Sequence, residues 1–105
     1  MSITNALVAS GSATAIFTAT SQVAITTIIF CNTTGATPAT LDVYAVPYGS
    51  NAVPTTQIMK SVSIPPTETF VLDTERLILE NGDKIFAQAS VSSTISATIS
   101  SLITA

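Results

Sequence analysis

Along most of the chain, apolar and polar residues alternate with a period of two, interrupted at short intervals by turn-forming residues. That is the signature of half-buried strands, not of helices. The clearest cases lie late in the sequence. Over Ile85–Val91, Ile85, Ala87, Ala89 and Val91 alternate with Phe86, Gln88 and Ser90. Over Thr94–Ser100, Ile95, Ala97 and Ile99 alternate with Thr94, Ser96, Thr98 and Ser100. Thr40–Val46 sets Leu41, Val43 and Ala45 on one face, and Thr69–Leu72 sets Phe70 and Leu72 on one face. Further strands are predicted over Asn5–Ala9, Thr14–Ala19, Gln57–Ile64 and Leu77–Leu79, and Val23–Cys31 is long enough to cross a sheet fully. Loops are predicted at Ser10–Ser12, Asn32–Pro38 and Pro47–Pro54, and Pro65-Pro66 cannot continue a central ladder. Asp73–Arg76 reads as a single helical turn. Eight or nine short strands and no longer helix predict an all-β fold. The expected form is a two-sheet antiparallel β-sandwich, Ig-like or jelly-roll, in one domain over residues 1–105. Residues 1–12 are expected to form an N-terminal arm or an edge strand.

Charge is scarce, with nine charged residues in 105. Several of them crowd one stretch, where Arg76, Glu80, Asp83 and Lys84 surround Asn81-Gly82. Asn-Gly between two apolar runs is a strong hairpin signal, because Asn tolerates and Gly prefers the positive φ that the turn needs. Asn81 and Gly82 are therefore the predicted turn-defining residues, and the charges are expected to flank a solvated turn.

Composition narrows the function. Apolar residues make up 47% of the chain and charged residues 9%, which argues against disorder. Thr, Ile and Val, which favour pleated half-buried surfaces, are in excess. The mean hydropathy of +0.57 is high, so much of the surface is expected to be covered by neighbours. No apolar run reaches membrane-spanning length, and six aromatics without Trp make poor girdles for an outer-membrane barrel. A net charge of −3 with three basic residues leaves no patch to track phosphates, so neither nucleic acid nor membrane is an expected partner. The first ten residues lack the basic region and long apolar run of a signal peptide.

Catalytic chemistry is poorly provided for. The chain has no His and one Cys, which excludes a Ser-His-Asp triad, thiolate clusters and a CxxC pair. Cys31 is expected to be a small buried hydrophobe. Asp73, Glu75, Glu80 and Asp83 are close in sequence but lie around a predicted corner and turn, not across a cleft. A calcium ion at Asp73/Glu75 or Asp83 is a weaker alternative reading, without EF-hand spacing. No catalytic residue, cofactor or metal is assigned. Asn32-Thr33-Thr34 fits the glycosylation triplet by chance. Tyr44 and Tyr48, in the stretch YAVPYGSNAVP, are candidate partner contacts, as is Phe86.

Three motifs resemble a family of small structural proteins of tailed bacteriophages. They are Asp42-Val43-Tyr44-Ala45-Val46-Pro47, the corner Ile64-Pro65-Pro66-Thr67-Glu68-Thr69, and Leu79-Glu80-Asn81-Gly82-Asp83. The likeness runs from SATAIFTATSQVAITTIIFCN to the last alternating strand; the double proline departs from the usual single one. The resemblance implies a virion component without enzymatic activity, made in the host cytoplasm. The expected role is a capsid decoration (cement) protein, a homo-oligomer, with a trimer as the expected arrangement, bound to the major capsid protein or to tail components. A tail- or fibre-borne module that stacks a host-surface glycan on Tyr44, Tyr48 or Phe86 is the alternative.

Overall fold

The computed structural model of the chain describes residues 2–72, 77–91 and 94–103. Among them lie nine strands: β1 (Ser2–Leu7), β2 (Thr14–Thr18), β3 (Val23–Asn32), β4 (Ala39–Val46), β5 (Gln57–Ile64), β6 (Thr69–Leu72), β7 (Leu77–Leu79), β8 (Lys84–Ala89) and β9 (Ile95–Ile103). The alternation located every one of them. The boundaries moved most at the two ends, where β1 begins earlier and β9 runs on to Ile103. The loop between β4 and β5 also holds one short 3-10 turn, Pro54–Thr56, that the pattern did not reveal. The helical turn predicted at 73–76 falls outside the described residues.

Two antiparallel sheets pack together. One has the order β1-β9-β3-β6, with β7 also paired to β3; the other has the order β2-β8-β4-β5. The pairs β1–β9, β2–β8, β3–β6/β7 and β4–β5 are nested about the loop between β4 and β5. The chain is thus one long ribbon folded back on itself and then rolled, which brings β3 beside β9 and β4 beside β8. This is the strand order of a jelly roll, which settles the choice against the Ig arrangement.

The core lies between the sheets. Ile25, Ile28 and Phe30 of β3 and Ile95, Ala97 and Ile99 of β9 face Leu41 and Val43 of β4 and Ile85, Ala87 and Ala89 of β8. Three turns share one design: each closes with a bond from its fourth N–H to its first carbonyl, and its third residue has positive φ. They are 47–50 with Gly49 at φ +82°, 65–68 with Thr67 at φ +66°, and 80–83 with Gly82 at φ +94°. That combination marks a type II turn, and in the second of them proline fills the favoured second position. Thr67 is a β-branched residue held where glycine is preferred, a local strain that the surrounding bonds sustain.

The hairpin expected at Asn81-Gly82 is not there. The turn exists, but only Gly82 has positive φ, and the strands on either side belong to different sheets. β7 pairs with β3, while β8 pairs with β2 and β4. Asn-Gly therefore turns a corner of the roll. Cys31 departs from expectation too: it is half-buried on the outer face of the five-stranded sheet, in register with Ser96 and Thr69.

Asn32 joins the two sheets. Its side chain is completely buried. Its Nδ2 donates to the Thr37 carbonyl at 2.8 Å and to the Ile64 carbonyl at 2.9 Å. Its Oδ1 accepts from the Thr34 N–H at 3.0 Å and from the Thr34 hydroxyl at 2.7 Å. Both donors and both acceptor positions of the amide are used. A side chain enclosed in this way is no glycan acceptor, which agrees with reading the triplet as chance. Replacing Asn32 with Ala removes the side-chain donor from the Ile64 carbonyl and one of two donors from the Thr37 carbonyl, and is expected to cost about 1–3 kcal/mol. Urea unfolding followed by circular dichroism measures that loss, and Asn32→Asp, which cannot donate to either carbonyl, should lose a comparable amount.

Candidate interaction surface

The three aromatic residues singled out in the sequence share one side of the molecule. Core residues Val43 of β4 and Ile85 and Ala87 of β8 point inward, so Tyr44 and Phe86 point outward from the four-stranded sheet. Tyr44 and Phe86 are direct cross-strand partners, and Phe86 is flanked on its other side by Ala15 of β2. Tyr48 stands at the end of this face on the 47–50 turn, with 80% of its surface exposed. Between that turn and the sheet lies a hollow of about 460 Å³, bordered by Val46, Tyr48, Asn51, Gly82, Lys84 and Phe86. Tyr44 is outside its rim, one strand along from Phe86.

The 80–83 turn holds the hollow's shape. Gly82 donates to the Ala19 carbonyl at 2.8 Å, and Ala19 donates to the Asp83 carbonyl at 2.9 Å, extending the β2–β8 ladder into the turn. The Tyr48 ring lies against Gly82 so closely that a Cβ added there would sit 2.5 Å from the ring. Glycine is required at 82 by this approach as well as by its φ. Asp83 joins the two loops: one carboxylate oxygen accepts from the Tyr48 N–H at 2.9 Å and the other from the Glu80 N–H at 2.9 Å. Glu80 accepts from the Gln22 side-chain amide. The charges around Asn81-Gly82 thus do more than solvate a turn, since Asp83 ties the turn to the aromatic loop. Asn81 itself is exposed.

An exposed phenol, a second ring, a lysine and an asparagine can stack and hydrogen-bond a partner. Among the residues that border the hollow there is no carboxylate or imidazole to serve as a base. Among the described residues no group of three or more His, Cys, Asp or Glu side chains gathers. Asp73 and Glu75, the other half of the calcium reading, lie outside the described residues.

The opposite side of the molecule was not singled out in the sequence. No charged residue occurs in any strand of the five-stranded sheet. Eleven large hydrophobics are exposed among the described residues, and six of them, Ile3, Leu7, Ile29, Val71, Ile78 and Leu102, lie on its outer face, while Ile103, in register with the core residue Val23, has the opposite parity. Only the pairing register brings these distant residues together, so no local motif could have revealed the patch.

Two substitutions separate structure from decoration in the 80–83 turn. Asp83→Asn sets a donor against a backbone N–H and is expected to cost about 1–2 kcal/mol. Glu80→Gln, on an exposed side chain, should stay within about 0.5 kcal/mol of the parent. Chemical denaturation of the two variants side by side checks the contrast. In comparisons with known proteins, no family model matches the chain and no curated protein matches it, so the likeness to phage virion proteins rests on the quoted motifs alone.

Proposed function

We propose that the chain is a non-enzymatic virion structural protein, a capsid decoration (cement) protein that stabilises a phage head through oligomeric contacts with the shell subunits. The observation that carries this reading is the five-stranded sheet, whose strands hold no charge and whose exposed hydrophobics are concentrated there. Such a surface is costly to leave in water and suits burial against a neighbour. The motif resemblance supplies the virion setting. Each contact of so small a protein is modest, and many copies on a repeating shell gain strength through multivalency. The edge strand β1 has neither charge, nor proline, nor a break in register with β9, so it also suits strand addition by a partner. A place in the neck, tail or baseplate uses the same contacts in fewer copies. Quantitative mass spectrometry of purified particles decides between them. A fixed ratio to the major shell protein, in hundreds of copies as expected for one site per shell unit, supports decoration. A few dozen copies or fewer moves the chain to the tail, and absence from particles removes the reading.

The aromatic hollow favours a second reading, a tail- or fibre-borne module that binds a host-surface glycan. Tyr48 and Phe86 would stack on sugar rings while Asn51 and Lys84 bond hydroxyls. The expected outcome is selective signal on a glycan array that Tyr48→Ala abolishes without loss of folding. Silence of the folded parent protein on the array removes this reading.

A further inference from the structure

We infer that the outer face of the five-stranded sheet is the contact between two copies of this chain, packed sheet against sheet about a two-fold axis. The pairing register lays the face out in rows. One row runs Asn5, Thr98, Ile29, Val71; the next runs Leu7, Ser96, Cys31, Thr69. On the other side Ile3, Ser100 and Thr27 form a row, and Leu102, Ala24 and Ile78 form an apolar end. These are apolar residues, hydroxyls, one amide and one thiol, so no ionised group lies in these rows.

Its polar groups are partly satisfied before any partner arrives. The Thr98 hydroxyl donates to Asn5 Oδ1 at 3.1 Å, and the Thr26 hydroxyl lies 3.1 Å from Ser100 Oγ. Covering these groups therefore costs less than covering lone hydroxyls.

Charge identifies the partner. An ionised group set against this face would lose its water and find no counter-charge. The matching surface must itself be free of charge. The described charges of this chain lie on the four-stranded sheet, at Asp42, Lys60 and Lys84, or on loops, at Glu68, Glu80 and Asp83. Its other sheet face is thus unsuited, and the surface on the molecule that matches is the same face of a second copy. A two-fold contact is self-complementary and closes, leaving no growing end.

The area is sufficient. Strands of six, nine and ten residues, with the four- and three-residue β6 and β7 both paired to β3, give roughly 500 Å² per copy. Two such faces bury roughly 1,000 Å², about the least that a specific interface needs. Aligned sheets pack about 10 Å apart, which these short side chains permit.

The inference rests on the reading of the chain as an assembling structural protein and deepens it: it gives this face to a second copy, with a dimer in place of the expected trimer, and leaves the edge strand β1 and the four-stranded sheet for the shell. Its test uses the isolated chain, whereas the virion reading is tested in particles, so either can fail alone. Sedimentation equilibrium of the full chain, up to about 0.5 mM, should give a dimer of twice 10.8 kDa. Ile29→Lys and Thr98→Lys, each placing one charge mid-face, should weaken dimerisation at least about tenfold. Their far-ultraviolet circular dichroism should stay unchanged, and Ser96→Lys serves if Ile29→Lys does not fold. A monomer throughout that range overturns the inference. So does a trimer, which a two-fold contact cannot make, or a dimer that folded lysine variants retain.

Discussion

The architecture starts from one constraint: the first set of strand partners stands at mirrored positions about the loop between β4 and β5. Folding the chain back there sets β4 on β5, β3 on β6 and β7, β2 on β8, and β1 on β9. Rolling the ribbon then closes each sheet through a second set of neighbours, β3–β9 and β4–β8. Because side chains alternate across a strand, this register also decides which residues are buried. A slip of one residue in β3 would move Ile28 and Phe30 to the outside and Ile29 to the core. The pairings are long-range in sequence, so the entropy of closing large loops is spent before the core rewards it.

Polar side chains secure the roll where its strands turn or break register. Asn32 spans the sheets with an amide whose hydrogen-bonding capacity is filled. Asp42 stands opposite a bulge in β5, where Ser61 takes φ +51° and donates its N–H to the Asp42 carboxylate at 2.6 Å. Asp83 does the same for two amides at the 80–83 turn. Three polar side chains in the strands and turns thus satisfy backbone groups that the ladders leave over. The bulges and Lys60 also guard β5, an exposed edge of the four-stranded sheet, against stray pairing.

Strand existence and fold class were legible because period-two alternation is local and strong. Ile85, Ala87 and Ala89 announce their inward face without any knowledge of their partners. What depends on non-adjacent partners was not legible. Asn81-Gly82 carries a true turn signal, but the sequence holds no mark that its two flanking strands enter different sheets. The bridging role of Asn32 was not legible, because its carbonyl partner at Ile64 lies thirty-two residues away in the other sheet. Cys31 sits in an apolar run, yet the parity of β3 turns it outward. The aromatic side of the molecule was half visible: Tyr44, Tyr48 and Phe86 were picked out, while the hollow needed the 47–50 turn to fold over the sheet. The uncharged face was hidden altogether, since it is assembled from five separate strands.

The place of β9 has a consequence for how the protein is made. It is the last of the nine strands to leave the ribosome, yet it lies inside the five-stranded sheet between β1 and β3. Until it emerges, β1 has no sheet partner and the longest apolar strand, β3, has a bare side. Closure of the five-stranded sheet therefore waits until β9 has been made. Vulnerability to chaperone capture, proteolysis and misassociation is concentrated in that interval, and it ends when one strand slides into a slot already built for it.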